Sequence, residues 1–206
     1  MRLPTMFEVR KSIKRFRNDP AWTYRKRDRA YLDTFNHDGY PFSLGPDGLS
    51  LRHLMQGSLL GREVSMFHLR ALKRSGWAHV AWSYSVAVLP LPCTLQATAF
   101  TSRRLMLPGR EKRPALPRTP GRFRDLTEIG THLVHCHSED VDFAALINTY
   151  ALERLMHKAQ LGWRIEGSRM IGWTDGRKTY ENLLSLAEAV ASIIDGFPEE
   201  AWHWKE

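Results

Sequence analysis

The chain of 206 residues has only two cysteines, Cys93 and Cys136. That excludes a disulfide framework and a cysteine-rich metal knot, and both are read as free thiols. No run of about 18 apolar residues occurs, which excludes an ordinary membrane-spanning helix. The opening MRLPTMFEVRKSIKRF lacks the continuous apolar core of a secretory signal, so a cytoplasmic location is the expectation. Catalytic signatures are missing too: there is no G-x-S-x-G, no P-loop, no dinucleotide-binding glycine pattern and no H-E-x-x-H. No cofactor and no metal is expected, and the balance leans away from an enzyme.

Charge is present and unevenly placed. The net charge is +8. Residues 1–30 carry ten Lys/Arg against Glu8, Asp19 and Asp28, and residues 101–124 carry eight against Glu111, so the remainder is acidic on balance. An anionic partner would meet those two segments first. Residues 6–17 fit a short helix with Met6, Val9, Ile13 and Phe16 on one stripe, and Arg10, Lys11, Lys14, Arg15 and Arg17 around the rest. Asn18-Asp19-Pro20 ends it. Residues 1–20 are therefore read as a basic arm ahead of a single domain at 21–206. The second basic cluster, with Arg103, Arg104, Arg110, Lys112 and Arg113, falls in a Pro-rich loop at about 101–122.

The domain is expected to be α+β, an antiparallel β-meander with two helices from the C-terminal half packed on the sheet. His53 to Pro92 reads as three strands, with turn signals at Gly57–Gly61 and Lys73–Gly76. In the second, Val64, Met66 and His68 share a face. In the third, Val80, Trp82, Tyr84, Val86 and Val88 oppose a small-residue face of Ala81, Ser83, Ser85 and Ala87. The large face is expected to take the later helices or hairpin, and an open small face would imply a partner or oligomer. Thr131–His137 reads as a strand, followed by one helix from Ser138 to Gly162 with Phe143, Ile147, Ala151 and Leu155, flanked by Leu146, Leu152 and Met156, as its buried stripe. A hairpin crosses Gly167-Ser168, Asp175-Gly176 is a turn, and a last helix spans about 180–195. Trp202 and Trp204 are expected to lock the tail to the body.

Two histidine groups could hold chemistry. His132, His135, Cys136 and His137 are dense in metal ligands, but strand alternation divides them, so Val134 and Cys136 are expected to face the core with the histidines outside. His53, His68 and His79 would make a better site if the strands brought them together. Trp22, Tyr24 and Tyr31 lie among Arg25, Lys26, Arg27 and Arg29, a mix that can stack single-stranded bases or anchor a core.

Several pieces occur in a recognisable order. These are Trp22-x-Tyr24 with Arg27-Asp28, Tyr40-Pro41-Phe42, Gly57, Gly61-Arg62-x-Val64-x-x-Phe67, and Ser85 to Leu89 with Leu91-Pro92. Then come Val134 to Ala144, Trp163 to Gly167, Trp173, and Gly196-Phe197-Pro198 before Trp202. In this order the chain resembles an uncharacterised actinobacterial family related to bacterial domains of unknown function. The resemblance implies an α+β domain and little about chemistry; many members are membrane-associated. This chain departs from them in its basic first segment and basic loop. The expectation is a non-enzymatic interaction protein that docks on a macromolecular partner or an acidic membrane surface through its basic segments. The alternatives are a nucleic-acid-binding protein using the same charges and nearby aromatics, and an enzyme with an unrecognised site.

Overall fold

In the computed structural model of the chain, residues 4–37, 39–44, 48–75, 78–105 and 127–204 are described; side chains at 44, 73–75, 78–80 and 127–129 are outside the description. Arg110, Lys112 and Arg113, with most of the basic loop, lie outside it as well.

The strands are β1 (Thr23–Arg27), β2 (Gly48–Leu59), β3 (Arg62–Ser75), β4 (Ala78–Pro90), β5 (Thr98–Ser102), β6 (Thr127–Gly130), β7 (Val134–Ser138), β8 (Gly162–Glu166) and β9 (Arg169–Asp175). They form one antiparallel sheet in the order β1-β2-β3-β4-β9-β8-β5-β7-β6. The helices are α1 (Met6–Arg17), α2 (Arg29–Leu32), α3 (Val141–Ile147), α4 (Tyr150–Ala159), α5 (Tyr180–Asp195) and α6 (Glu199–Trp202). The fold is α+β. Among the described residues no helix is long and apolar enough to cross a membrane.

The expected meander is real, but longer and embedded. β2 begins at Gly48, and its turn to β3 is confined to Leu60 and Gly61, both at positive φ. That two-residue geometry suits the twist of a hairpin, so Gly57 stays within the strand. β4 then pairs with β9, a strand that arrives some eighty residues later in the chain.

Alternation along β3 and β4 sorts two cores onto the two faces. Tyr84, Val86 and Val88 pack with Phe67, Leu69, Ile171 and Trp173 beneath Leu32, Phe35, Tyr40 and Phe42. The large face is thus covered by the segment around α2, not by the later helices. The opposite face carries Met66, Ala87 and Leu89 and receives α5, with Leu183, Ala187, Val190 and Ile194 turned inward. Small residues allow this close approach. At Gly172, opposite Ala87 on β9, an added Cβ would stand 2.3 Å from Val190 Cγ2. Ser85 and Ala87 are buried under the chain's own elements, whereas Ser83 is half-buried and Ala81 exposed, so the small face is covered at one end only.

α1 is capped by Thr5, whose hydroxyl accepts from the Glu8 N–H while the Glu8 carboxylate accepts from the Thr5 N–H at 2.6 Å. Val9 and Phe16 are buried, and Phe16 joins the α5 core. The segment read as a separate basic arm therefore shares its core with the domain. Met6 was expected on the inner stripe but is 49% exposed, and Phe7 beside it is 76% exposed.

The single helix expected from 138 to 162 is two. Asn148 leaves the helical region and Thr149 caps α4 by accepting from the Leu152 N–H at 3.2 Å. A polar pair that can bond the backbone locally ends one helix and starts the next. Beyond the break Leu152 and Met156, expected at the flanks of the stripe, are buried, Leu155 is half-buried against the core and Ala151 is exposed. Gln160, at φ 52°, caps α4, and Gly162 opens β8 with the Trp173 ring 2.6 Å from where a Cβ would stand. The hairpin at Gly167-Ser168 and the span of α5 match expectation. Trp204 donates to Asp140 Oδ2 at 3.0 Å and Trp202 packs on Phe197, which fixes the tail.

A candidate anion site beside His53 and His68

β2 carries an irregularity between Arg52, which pairs with His68, and Met55, which pairs with Met66. His53 falls in it at φ 56°. A bulged residue in a strand changes which way its side chain faces. Here the His53 ring lies on the α5 side, 6.1 Å from the Tyr24 ring and 6.2 Å from the His68 ring. Tyr24 Oη and His53 Nδ1 are 2.9 Å apart, and the Tyr180 hydroxyl donates to the His53 carbonyl. Tyr180 also packs on His68 at 5.4 Å between ring centres. Backbone and ring of His53 are each held by a tyrosine.

His68 is 2% exposed. Its Nε2 lies 2.8 Å from the Lys178 carbonyl, which can only accept, so Nε2 carries the proton and Nδ1 presents a lone pair. That Nδ1 is buried without a hydrogen-bond partner, as is Arg52 Nε. The connection from β9 to α5 is fixed against β4, where the Ser85 hydroxyl donates to the Gly176 carbonyl and accepts from the Lys178 N–H at 2.9 Å. From the other side, Ser12 of α1 accepts from the Tyr180 N–H at 2.7 Å and donates to Glu181 at 2.6 Å.

Cations crowd this place. Arg52 is directly across from His68, Arg70 lies two residues along the same face of β3, and Arg177 adjoins Lys178. The Arg177 guanidinium has its pKa lowered, first by burial and then by Arg52, with Arg10 and Arg70 adding to the effect. Burial pushes the His53 imidazole down to about 4, helped by Arg177, Arg52 and Lys26. Burial takes His68 down to about 3, with Arg177 and His53 contributing. Both rings are neutral at pH 7. The hydroxyl of Tyr180 is held in its protonated form by burial. Among the described residues, none of Arg10, Arg52, Arg70 and Arg177 makes an ion pair with a carboxylate.

The other expected site residues are dispersed. Arg10, Lys11, Lys14, Arg15 and Arg17 all stand exposed on α1. Arg15 pairs with Glu181 at 3.4 Å, and Arg17 lies 5.9 Å from the Tyr24 ring centre. Arg103 donates to the Thr131 carbonyl at 2.5 Å and to His135 Nε2 at 2.9 Å, and Arg104 is exposed nearby. These two follow β5, five strand positions from β2 and so about 24 Å across the sheet. The two basic segments do not converge among the described residues. His79 does not join His53 and His68 either, since its backbone pairs with Arg74, six residues from the His68–Ser85 pair, about 20 Å along the strand.

Val134 and Cys136 face the core as expected, and burial pushes the Cys136 thiol up to about 12. Among the described residues no three His, Cys, Asp or Glu side chains gather as metal ligands. Tyr31 packs edge-on to Phe35 and Phe67, and Trp22 packs on Phe16. With Tyr24 on His53, all three candidate stacking rings have partners within the molecule.

Sequence reasoning missed Arg52, Arg70, Arg177 and Tyr180. Alternation could have placed Arg70 with His68, but the match to Arg52 depends on a bulge, and Arg177 arrives through a β9–β4 pairing that no local pattern announces.

No protein-family model and no curated protein sequence matches the chain. Among solved structures, it is similar to the crystal structure of the mycobacterial trehalose monomycolate transport factor A. The TM-score is 0.63 at 13% identity, over 94% of this chain and 98% of that one. This likeness concerns the fold.

Proposed function

We propose that the protein is a non-enzymatic, cytoplasmic docking protein that binds an acidic membrane surface through the outer face of α1. The observation that carries this is the company α1 keeps at its exposed side. Lys11 and Lys14 face solvent next to Phe7 and Met6, two large apolar side chains left in water. Near an anionic bilayer each Lys or Arg is worth about 1 kcal/mol, and an apolar side chain at the rim can enter the interface. Because Val9 and Phe16 are engaged by the body, α1 offers this face without detaching. The structural neighbour is named as a transport factor, which agrees with a docking role, although at 13% identity the name transfers no activity.

Flotation with phosphatidylcholine vesicles, with and without phosphatidylserine, tests the reading. Binding is expected only with phosphatidylserine, weakening as salt rises, and Lys11→Glu with Lys14→Glu should abolish it. Equal recovery on both vesicle types would sink the proposal. So would salt-sensitive binding to RNA or DNA without lipid binding, which belongs to the nucleic-acid alternative.

A further inference from the structure

We infer that Arg52, Arg70 and Arg177, with Arg10 of α1, form a binding site for a phosphoryl group above the His53–His68 pair. This goes beyond docking on a charged surface and does not depend on it. Geometry supplies the convergence: Arg52 pairs with His68, Arg70 is two residues from His68 on the same face, and Arg177 precedes the residue whose carbonyl accepts from His68. α1 is pinned to the same spot by the Ser12 bond to the Tyr180 backbone.

Among the described residues these four guanidinium groups have no carboxylate paired to them; they repel one another, and a multiply charged anion relieves that repulsion. Guanidinium matches phosphoryl oxygens in a planar, two-point fashion.

The orphaned atoms narrow the class further. Arg52 Nε needs an acceptor, which any oxyanion offers. His68 Nδ1 needs a donor, because its ring proton is committed to the Lys178 carbonyl. A carboxylate or sulfate has no proton to give. A phosphate monoester does in its monoprotonated form; with a second pKa of about 6, lowered further by the arginines, that form contributes below about pH 6, where the preference for phosphate over sulfate is to be measured. A burial-suppressed His68 remains the acceptor in that bond through the same pH range. His53 is fixed by Tyr24 and Tyr180, so the base of the site is set before any ligand arrives.

The test is calorimetric titration of the full chain with inorganic phosphate, glycerol 3-phosphate and sulfate. Both phosphoryl compounds are expected to bind more tightly than sulfate. Arg52→Gln and Arg177→Gln should each weaken phosphate by at least about tenfold. Arg29→Gln, whose side chain pairs with Asp33 on α2, should leave it unchanged. His68→Phe should remove the preference for phosphate over sulfate. If that variant does not fold, the two arginine variants still decide. The absence of phosphate binding at millimolar concentration, or equal affinity in all the arginine variants, would overturn the site. Competition separates the ligand's source: glycerol 3-phosphate displacing the protein from phosphatidic acid vesicles marks a lipid headgroup, and binding in solution without displacement marks a soluble phosphoryl compound. Lys11→Glu with Lys14→Glu should stop flotation yet spare phosphate binding in solution, so the failure of docking and the failure of this site are told apart.

Discussion

Replacing Gly172 by alanine should destabilise the protein, and replacing Val190 by alanine at the same time should recover much of the loss. The new methyl group would begin 2.3 Å from Val190 Cγ2, with the Val190 Cβ at 3.7 Å and the Ala87 carbonyl at 3.8 Å. Carbon atoms in contact sit at about 3.5–4.0 Å, so one partner must retreat by well over 1 Å. Valine in a helix has one strongly preferred rotamer and cannot simply turn away. α5 must move off the sheet, or the strand must bend. Overpacking of this kind costs about 1–3 kcal/mol. Removing a flexible glycine from a strand returns about 0.5–1 kcal/mol, leaving a net loss of up to about 2.5 kcal/mol. Val190→Ala alone removes two buried methyl groups, worth about 1–3 kcal/mol. In the double variant the added methyl occupies the vacated space. Urea denaturation of the four proteins should therefore give a coupling of about 1–3 kcal/mol in favour of the pair. Additivity within about 0.5 kcal/mol would refute the claim that α5 is seated directly on the small-residue face.

Two further outcomes follow from buried polar groups. Arg164 is 0% exposed, donates to the carbonyls of Asn36 at 2.7 Å and Tyr40 at 3.1 Å, and bonds to Glu166. Arg164→Met should cost about 1–3 kcal/mol for each of the two carbonyls it leaves without a donor in urea denaturation, while Glu166 keeps Arg169 and the Asn36 N–H, and lysine should not restore the loss. Stability should also fall with acid. His68 has a folded pKa of about 3 against 6.5 unfolded, so below pH 6.5 the unfolded chain binds the extra proton. The loss through His68 should approach about 1.4 kcal/mol per pH unit as pH falls toward 3, with no contribution above 6.5. Denaturation across this range should show a shallower acid slope in His68→Phe.

Local patterns carried the fold class and most elements. Turn chemistry at Gly167 and Gly176, periodicity in 180–195 and alternation at Val134 and Cys136 all express nearest-neighbour geometry, so they were legible. Three features were not. The break at Asn148-Thr149 pits local side-chain bonds against helix periodicity, and composition does not say which wins. The cover on Tyr84, Val86 and Val88 comes from Leu32, Phe35, Tyr40 and Phe42, residues in a stretch without strong periodicity. The arginine group depends on register, a bulge and a β9–β4 pairing, each a long-range event. The visible clusters on α1 and after β5 drew attention because they are contiguous in sequence, whereas Arg52, Arg70 and Arg177 are isolated in it.

The left-handed backbone at His53 bears on what substitution can do there. A non-glycine residue at φ 56° carries a penalty of about 1–3 kcal/mol, met once when the chain folds. Glycine would remove that penalty and lose the ring that Tyr24 holds. Position 53 is therefore a place where relief of the backbone and order of the site pull in opposite directions, and a substitution there is to be judged on both.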